Sequence, residues 1–177
     1  TTTLLGLIGT PVEHSKSPAM YNHCFQKFGL DWAYLAFNIP QEKAGDAVQA
    51  IRTLGMRGAN VTMPCKNAVI PYLDKLTPAA EAIQAVNTIV NDDGKLTGLN
   101  TDYIAVKSLI ASHRLDTNAR VMIQGSGGMG KAVIAAFRDA GFRDVIIAAR
   151  NRQRGLALAK QYGFQWQPLP EGIAAEI

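Results

Sequence analysis

Apolar residues in this chain fall into short runs separated by stretches with a helical period. Leu4-Leu5-Gly6-Leu7-Ile8 is continuous and breaks at Gly9-Thr10-Pro11, which predicts a first strand. Ser17-Pro18 predicts a helix start, with Ser17 as N-cap and Pro18 at the first helical position; the helix runs to about Phe28 and stops at Gly29. Trp32 to Asn38 reads as a second strand, Gln41 to Leu54 as an amphipathic helix closed by Gly55, and Gly58 to Val61 as a third strand stopped by Pro64. Helices are predicted from about Asn67 and from Pro78 to Gln84. Asn87 to Val90 and Lys95 to Leu99 form a hairpin pattern around Asn91-Asp92-Asp93-Gly94. Asp102 to His113 is helical. The pattern restarts with a strand at Val121 to Ile123, a helix at Lys131 to Ala140, a strand at Asp144 to Ala149 and a helix at Gly155 to Tyr162.

Alternating strands and helices predict an α/β fold with parallel strands. The polar stretch Arg114 to Asn118 reads as a linker, giving two parts, residues 1–113 and 114–177. The second part is organised by Val121-Met122-Ile123-Gln124-Gly125-Ser126-Gly127-Gly128-Met129-Gly130-Lys131. A strand, a G-x-G-x-x-G loop and a helix in that order are the signature of a Rossmann-type dinucleotide-binding unit. Gly125 permits the tight turn, Gly127 lets backbone amides approach a pyrophosphate, and Gly130 lets helix and strand pack closely. The helix N-terminus adds unpaired N–H groups and a partial positive charge. A complete domain of this kind has two such halves. Only the first is expected in this sequence, so one strand edge is expected to be open, mobile or covered by a second copy in a homodimer. Amides of the strand from Val145 to Ala149 are expected to be less protected than those near Val61.

With 47% hydrophobic and 18% charged among 177 residues, the composition is that of an ordinary globular protein. No apolar run is long enough to span a membrane and no basic-then-apolar segment opens the chain, so a cytoplasmic location is expected. Cys24 and Cys65 form no C-x-x-C and are expected as thiols; His14, His23 and His113 have no metal-ligand spacing, so no metal is expected. Formal charge is +4, and the excess gathers late, at Arg138, Arg143, Arg150, Arg152, Arg154 and Lys160. Such a cluster suits nucleic acid or a phosphorylated cofactor, and the adjacent glycine loop favours the cofactor. The strand that ends at Arg150 carries no carboxylate to accept the ribose 2′-hydroxyl of NAD. Arg150, Arg152 and Arg154 stand there instead, which favours the 2′-phosphate of NADP.

Three patches of the first part look chemical. His14-Ser15-Lys16-Ser17-Pro18 sets two hydroxyls at a helix N-terminus, suited to an anion or to capping alone. Asn60-Val61-Thr62-Met63-Pro64-Cys65-Lys66 sets Thr62 and Lys66 just past a strand end, where open α/β sheets bind ligands. Asn100-Thr101-Asp102 follows a strand and opens a helix, where Asp102 equally fits a capping role.

Together with Ala85-Val86-Asn87-Thr88 and the glycine loop, in this order and at this spacing, these patches resemble the shikimate dehydrogenase family from about Leu4 to Gly163. The resemblance implies an N-terminal α/β substrate domain followed by the first half of a Rossmann-type NADP domain, and reversible reduction of 3-dehydroshikimate to shikimate, a step toward aromatic amino acids. It implies that Ser15 and Ser17 hold the substrate carboxylate. Thr62, Asn87 and Thr101 line the pocket, and Lys66 with Asp102 forms the catalytic pair. Gly125, Ser126, Gly127, Gly128, Met129 and Gly130 would hold the cofactor, with Arg150, Asn151 and Arg154 at its far end. The sequence departs from the family at Cys65, where an aromatic or histidine is usual, at Tyr103-Ile104-Ala105, where glycines are common, and at Ala149 and Asn151 beside Arg150. These departures leave shikimate, quinate or a related hydroxy acid open as substrate. A non-catalytic metabolite-binding protein is the rival from another class, and retention of both Lys66 and Asp102 argues against it.

Overall fold

A computed structural model describes residues 1–169. The chain divides into two compact units, the first Thr1–Asn100 and the second from Thr101 onward.

The first unit is built on a six-stranded sheet. Its elements are β1 (Thr3–Gly9), α1 (Ser17–Lys27), β2 (Trp32–Asn38), α2 (Ala44–Thr53), β3 (Gly58–Val61), α3 (Cys65–Ala68), β4 (Lys75–Leu76), α4 (Pro78–Ile83), β5 (Thr88–Asp92) and β6 (Lys95–Leu99). The strand order is β2-β1-β3-β5-β6-β4. β1 runs parallel to both β2 and β3, whereas β5 is antiparallel to β3 and β6. Consecutive apolar residues of β1 feed opposite faces. Ile8 joins Val48 and Ile51 of α2 with Ala59, Val61, Cys65 and Val69 in the larger core. Leu7 joins Phe25 of α1, Tyr34 and Val12 in the smaller one. Cover on both faces is why this strand reads as an unbroken apolar run instead of an alternation.

The hairpin forms as its sequence predicts. Asp93 and Gly94 both adopt left-handed backbone (φ 50° and 88°), the conformation a two-residue Asp-Gly connection requires. The Asn91 side chain receives the Gly94 amide at 2.8 Å and donates to the Met56 carbonyl at 2.8 Å. Three expectations shift. Residues Gln41–Lys43 form a 3-10 turn ahead of α2, α3 starts at Cys65 and lasts one turn, and β4 was not visible because two residues carry no period.

The second unit holds α5 (Thr101–Ser112), β7 (Val121–Gln124), α6 (Gly128–Asp139), β8 (Val145–Ala148), α7 (Arg152–Tyr162) and β9 (Gln165–Gln167). Among the described residues its three strands are all parallel, in the order β7-β8-β9. This corrects the two-strand expectation: Gln165-Trp166-Gln167 has no apolar run, yet it pairs with β8. β8 is therefore central, with Ile147 and Ala148 fully buried. The boundary also differs from 113/114. α5 packs on α6, and the Tyr103 hydroxyl donates to the Asp139 carboxylate at 2.7 Å.

Candidate functional site

In the first unit the predicted site residues gather at the carboxyl ends of β1 and β3. The loops that follow these strands are bound together: the Thr10 amide donates to the Met63 carbonyl at 2.9 Å, and the Thr62 amide to the Ile8 carbonyl at 2.9 Å. Both loops contain a cis proline bond, Thr10–Pro11 and Met63–Pro64. Gly9 makes the approach possible. A β-carbon there would lie 2.4 Å from the Thr62 methyl and 2.7 Å from the Met63 carbonyl oxygen, and its φ of +152° disfavours a side chain in any case.

Ser15 and Ser17 lie where the first of these loops enters α1, but their roles differ from the expectation. Ser17 is the first helical residue, with Lys16 at the cap position. The side chain that accepts a helix-start amide is Ser15, from the Ser17 N–H at 3.2 Å. Thr62 ends the other loop's approach, and Lys66 is the second residue of α3. The Lys66 carbonyl accepts the Val86 amide at 2.8 Å, which fixes Lys66 beside the segment that carries Asn87. Asn87 is itself held on both sides: its N–H donates to Leu99 at 3.0 Å and its carbonyl accepts from Val61 at 2.8 Å. Thr62, Lys66 and Asn87 are thus brought together on one rigid frame. Cys65 fills the core of the first unit, fully buried, with its thiol 3.4 Å from the Ile39 carbonyl; burial, then the Glu42 charge, pushes that thiol up from its ordinary pKa.

Thr101 and Asp102 belong to the second unit, in the first turn of α5. They follow Asn100, which is buried and donates to the Ala85 carbonyl at 3.0 Å.

The second site is the loop between β7 and α6. Gly125 has φ +111° and donates its N–H to Ala148 at 2.8 Å, which makes the turn. A β-carbon on Gly130 would lie 2.5 Å from the Gly125 carbonyl oxygen, while one on Gly127 meets nothing within 4 Å. The three glycines therefore do three different things: one turns the chain, one lets helix and loop pack, and one keeps the space above the helix start clear. α6 begins at Gly128, a turn earlier than predicted, with Gly127 at the cap and no side chain capping it. The amides of Gly128, Met129 and Gly130 thus open the helix, a local arrangement that suits an anion.

Arg150 follows β8 and is exposed. Asn151 caps α7, its side-chain oxygen accepting the Arg154 amide at 2.9 Å, so the helix starts at Arg152 and not at Gly155. Asn at a helix entry was the available signal. The Arg152 guanidinium lies 5.8 Å from the centre of the Trp166 ring. Arg150, Arg152, Ala149 and Trp166 line a cleft of about 630 Å³. Sequence reasoning missed Lys131, at the end of the first turn of α6. Its pKa is lowered, first by burial and then by the charge of Arg154, so two cations act on one region beside the glycine loop. It also missed Asn60, although a polar side chain inside the buried strand Gly58–Val61 was a visible signal. Among the described residues no group of three His, Cys, Asp or Glu is placed to hold a metal, and no helix is long and apolar enough to cross a membrane.

Comparison with known proteins covers both units. Residues 7–89 match the family model of the shikimate dehydrogenase substrate binding domain, and residues 109–172 match that of shikimate / quinate 5-dehydrogenase. A shikimate dehydrogenase-like protein of Haemophilus influenzae is 45% identical over 157 residues, covering 89% of this chain and 57% of that protein. The shikimate dehydrogenase (NADP(+)) of Streptococcus uberis is 48% identical over 149 residues, covering 82% of this chain and 50% of that protein. The chain thus spans about half the length of these curated relatives. The solved structure of shikimate 5-dehydrogenase from Thermus thermophilus, in complex with NADP(H) and shikimate, matches with TM-score 0.84 at 35% identity, over 94% of this chain and 63% of that one.

Proposed function

The chain belongs to the shikimate dehydrogenase family, and we propose that it carries the substrate-binding and catalytic unit, with part of the nucleotide unit, of an enzyme that interconverts 3-dehydroshikimate and shikimate with NADP(H). The observation that carries this reading is the frame around Lys66. Its carbonyl is bonded to Val86, the next residue is the doubly held Asn87, and Thr62 sits on a loop tied to the one leading to Ser15 and Ser17. An amine, an amide and three hydroxyls near one end of a sheet suit a small carboxylate bearing several hydroxyls. The companion unit supports a dinucleotide through the clear space at Gly127, the uncapped start of α6 and the arginines beyond β8.

In this reading Ser15 and Ser17 anchor the substrate carboxylate, while Thr62, Asn87 and Thr101 hold its hydroxyls. Lys66 gives a proton to the carbonyl oxygen during reduction and takes the hydroxyl proton during oxidation; Asp102 orients the lysine and the reacting hydroxyl. The nicotinamide, when bound, supplies the hydride. Gly125 to Gly130 would take the diphosphate, and Arg150 with Arg154 the 2′-phosphate, with Asn151 holding the helix that presents Arg154.

The test follows NADPH absorbance with shikimate and with quinate, in a full-length protein containing this chain, and ligand-dependent melting of the chain itself. Shikimate turnover is expected, reduced by orders of magnitude in Lys66→Ala and Asp102→Asn. Turnover with quinate alone would favour the quinate member of the family. Shifts in melting without turnover would favour a metabolite-binding protein.

A further inference from the structure

A chain of side-chain hydrogen bonds crosses the first unit behind Asn87. The Tyr34 hydroxyl donates to Asn60 Oδ1 at 2.7 Å, Asn60 Nδ2 donates to Thr88 Oγ1 at 3.3 Å, and the Thr88 hydroxyl donates to Asn87 Oδ1 at 3.0 Å. The registers explain why these groups meet. Tyr34 lies opposite Leu5 on β1, Gly58 lies opposite the same Leu5 on β3, and Asn60, two residues on, faces Thr88 on β5. Tyr34, Leu5 and Gly58 thus form one row across the sheet, and the tyrosine hydroxyl reaches past β1 to the asparagine two residues beyond that row. Tyr34 is fixed at its other end too. Asn22 of α1 donates to the Tyr34 carbonyl at 2.9 Å and accepts its amide at 2.8 Å, taking the place of a neighbouring strand at the β2 edge.

The direction of this chain matters. An asparagine amide can be turned end for end at little steric cost, so its orientation is set by the donors and acceptors around it. Tyr34 is 1% exposed, and burial, then the neighbouring Tyr21, raises its pKa, so it keeps its proton. A buried hydroxyl proton needs an acceptor, and here that acceptor is Asn60 Oδ1. With its oxygen committed, Asn60 can only offer N–H to Thr88. With its oxygen receiving that N–H, Thr88 directs its own proton to Asn87. Asn87 Oδ1 is thereby held toward Thr88, and its Nδ2 protons point away from it. Running the chain in reverse would present the Asn87 oxygen instead and leave the Tyr34 proton buried without a partner.

We propose that Tyr34, Asn60 and Thr88 are positioning residues that set the orientation of the Asn87 amide, so that Asn87 meets its ligand as a hydrogen-bond donor. The ligand class is then one with an acceptor oxygen at that point, a carbonyl or hydroxyl. This rests on the reading that Asn87 lines the substrate pocket. None of the three residues needs to touch substrate, and Tyr34 is two side chains removed from Asn87.

Two variants break the chain at opposite ends, Tyr34→Phe and Thr88→Val, and Thr88→Ser restores the hydroxyl. The first readout needs no ligand: the side-chain amide signals of Asn60, Asn87, Asn91 and Asn100 in nitrogen–proton NMR spectra of the chain. Asn91 and Asn100 donate elsewhere, to Met56 and Ala85, and serve as internal controls. Tyr34→Phe is expected to shift Asn60 and Asn87 together, Thr88→Val to shift Asn87, and Thr88→Ser to return Asn87 to its native position, with the controls unmoved. Shikimate affinity, measured by titration on the same samples, is expected to fall roughly tenfold in Tyr34→Phe and Thr88→Val and to recover in Thr88→Ser. Asn87 signals unchanged in both Tyr34→Phe and Thr88→Val would overturn the relay. So would native shikimate affinity in those two variants. If the Asn87 signals move as expected while even the unmodified chain fails to bind shikimate, the relay stands and the substrate reading falls. If Tyr34→Phe fails to fold, the Thr88 pair decides by the same signals.

Discussion

A β-carbon on Gly130 would lie 2.5 Å from the carbonyl oxygen of Gly125, five residues earlier in the chain. The start of α6 and the turn after β7 are thus in backbone contact, with no room for a side chain between them. Gly127, in the same loop, would place its β-carbon in open space, and its φ of −79° is one any residue adopts. These two glycines should therefore fail differently. Gly130→Ala is expected to destabilise the second unit by about 1–3 kcal/mol, the usual cost of forced overpacking. Gly127→Ala is expected to cost at most about 1 kcal/mol, since glycine is only a moderate N-cap. It is nonetheless expected to weaken NADP binding, because the added methyl fills the space where a diphosphate would approach the helix. Urea unfolding with an NADP titration checks both. Similar losses of stability in the two variants would contradict the distinction.

Ser15 and Ser17 separate in the same way. Only Ser15 accepts a helix-start amide, so Ser15→Ala is expected to cost about 0.5–1.5 kcal/mol of stability, as loss of one hydrogen bond does. Ser17→Ala should leave stability within about 0.5 kcal/mol, as ordinary for a partly exposed position. If both anchor a carboxylate, both variants should raise the Michaelis constant more than they lower turnover, because such binding changes little between ground and transition state. Melting curves give the first comparison and steady-state kinetics of a full-length protein the second. A turnover loss with an unchanged Michaelis constant would remove the anchoring role.

Some of this was legible in the residues and some was not. β2 and β3 match their predicted ranges because each is bounded by residues that stop a strand, and the glycine loop announced its own turn. The chemical residues Thr62, Lys66 and Asn87 were readable as motifs, but the bonds that gather them, Thr10 to Met63 and Val86 to Lys66, are backbone bonds between distant loops and leave no pattern. The placement of α5 was missed because its allegiance is decided by tertiary packing along α6, to which one side-chain bond is added. Tyr103 reaches Asp139 on α6, and no period in the sequence encodes that partner. The same tyrosine belongs to the stretch where the sequence departs from the family, so that departure adds a tie between the two helices. β9 escaped for a different reason: its partners supply the burial, and Gln-Trp-Gln carries no strand signature of its own.

That tie also predicts a pH dependence. Burial alone would raise the Asp139 carboxyl, but the Tyr103 hydroxyl and the Arg138 guanidinium, which lies on the same carboxylate, outweigh it and hold the group below its ordinary value. A depressed carboxyl contributes stability above its unfolded pKa, about 3.9 for aspartate, and loses that contribution as the pH falls through the lower folded value. The second unit is therefore expected to keep this contribution at neutral pH and lose it progressively below about pH 4–5. Tyr103→Phe removes the first of the two supports, so the variant should be less stable at pH 7 and should lose less on acidification. Thermal melts between pH 7 and pH 3 compare the two proteins. Parallel curves would mean that the hydroxyl does not stabilise the carboxylate.

The last expectation concerns the sheet of the second unit, where the structure moves the exposed edge from one strand to another. β8 lies between β7 and β9 and pairs on both sides, so its amides should be protected, contrary to what two strands alone would imply. Among the described residues β7 pairs only with β8. The amides of Val121 and Gly125 donate across to Asp144 at 2.9 Å and Ala148 at 2.8 Å, and the alternation of a parallel ladder directs Ile123 to the same side. Met122 and Gln124 then point their N–H groups to the open edge. Hydrogen exchange should therefore alternate along this strand, fast at Met122 and Gln124 and slow at Val121, Ile123 and Gly125, while in the first unit Ala59 and Val61, on a strand paired on both sides, remain slow. The contrast disappears if another strand covers the edge. Slow exchange at Met122 and Gln124 in a sample that sediments as a dimer would show that a second copy pairs there, and slow exchange in a monomer would contradict the open edge itself.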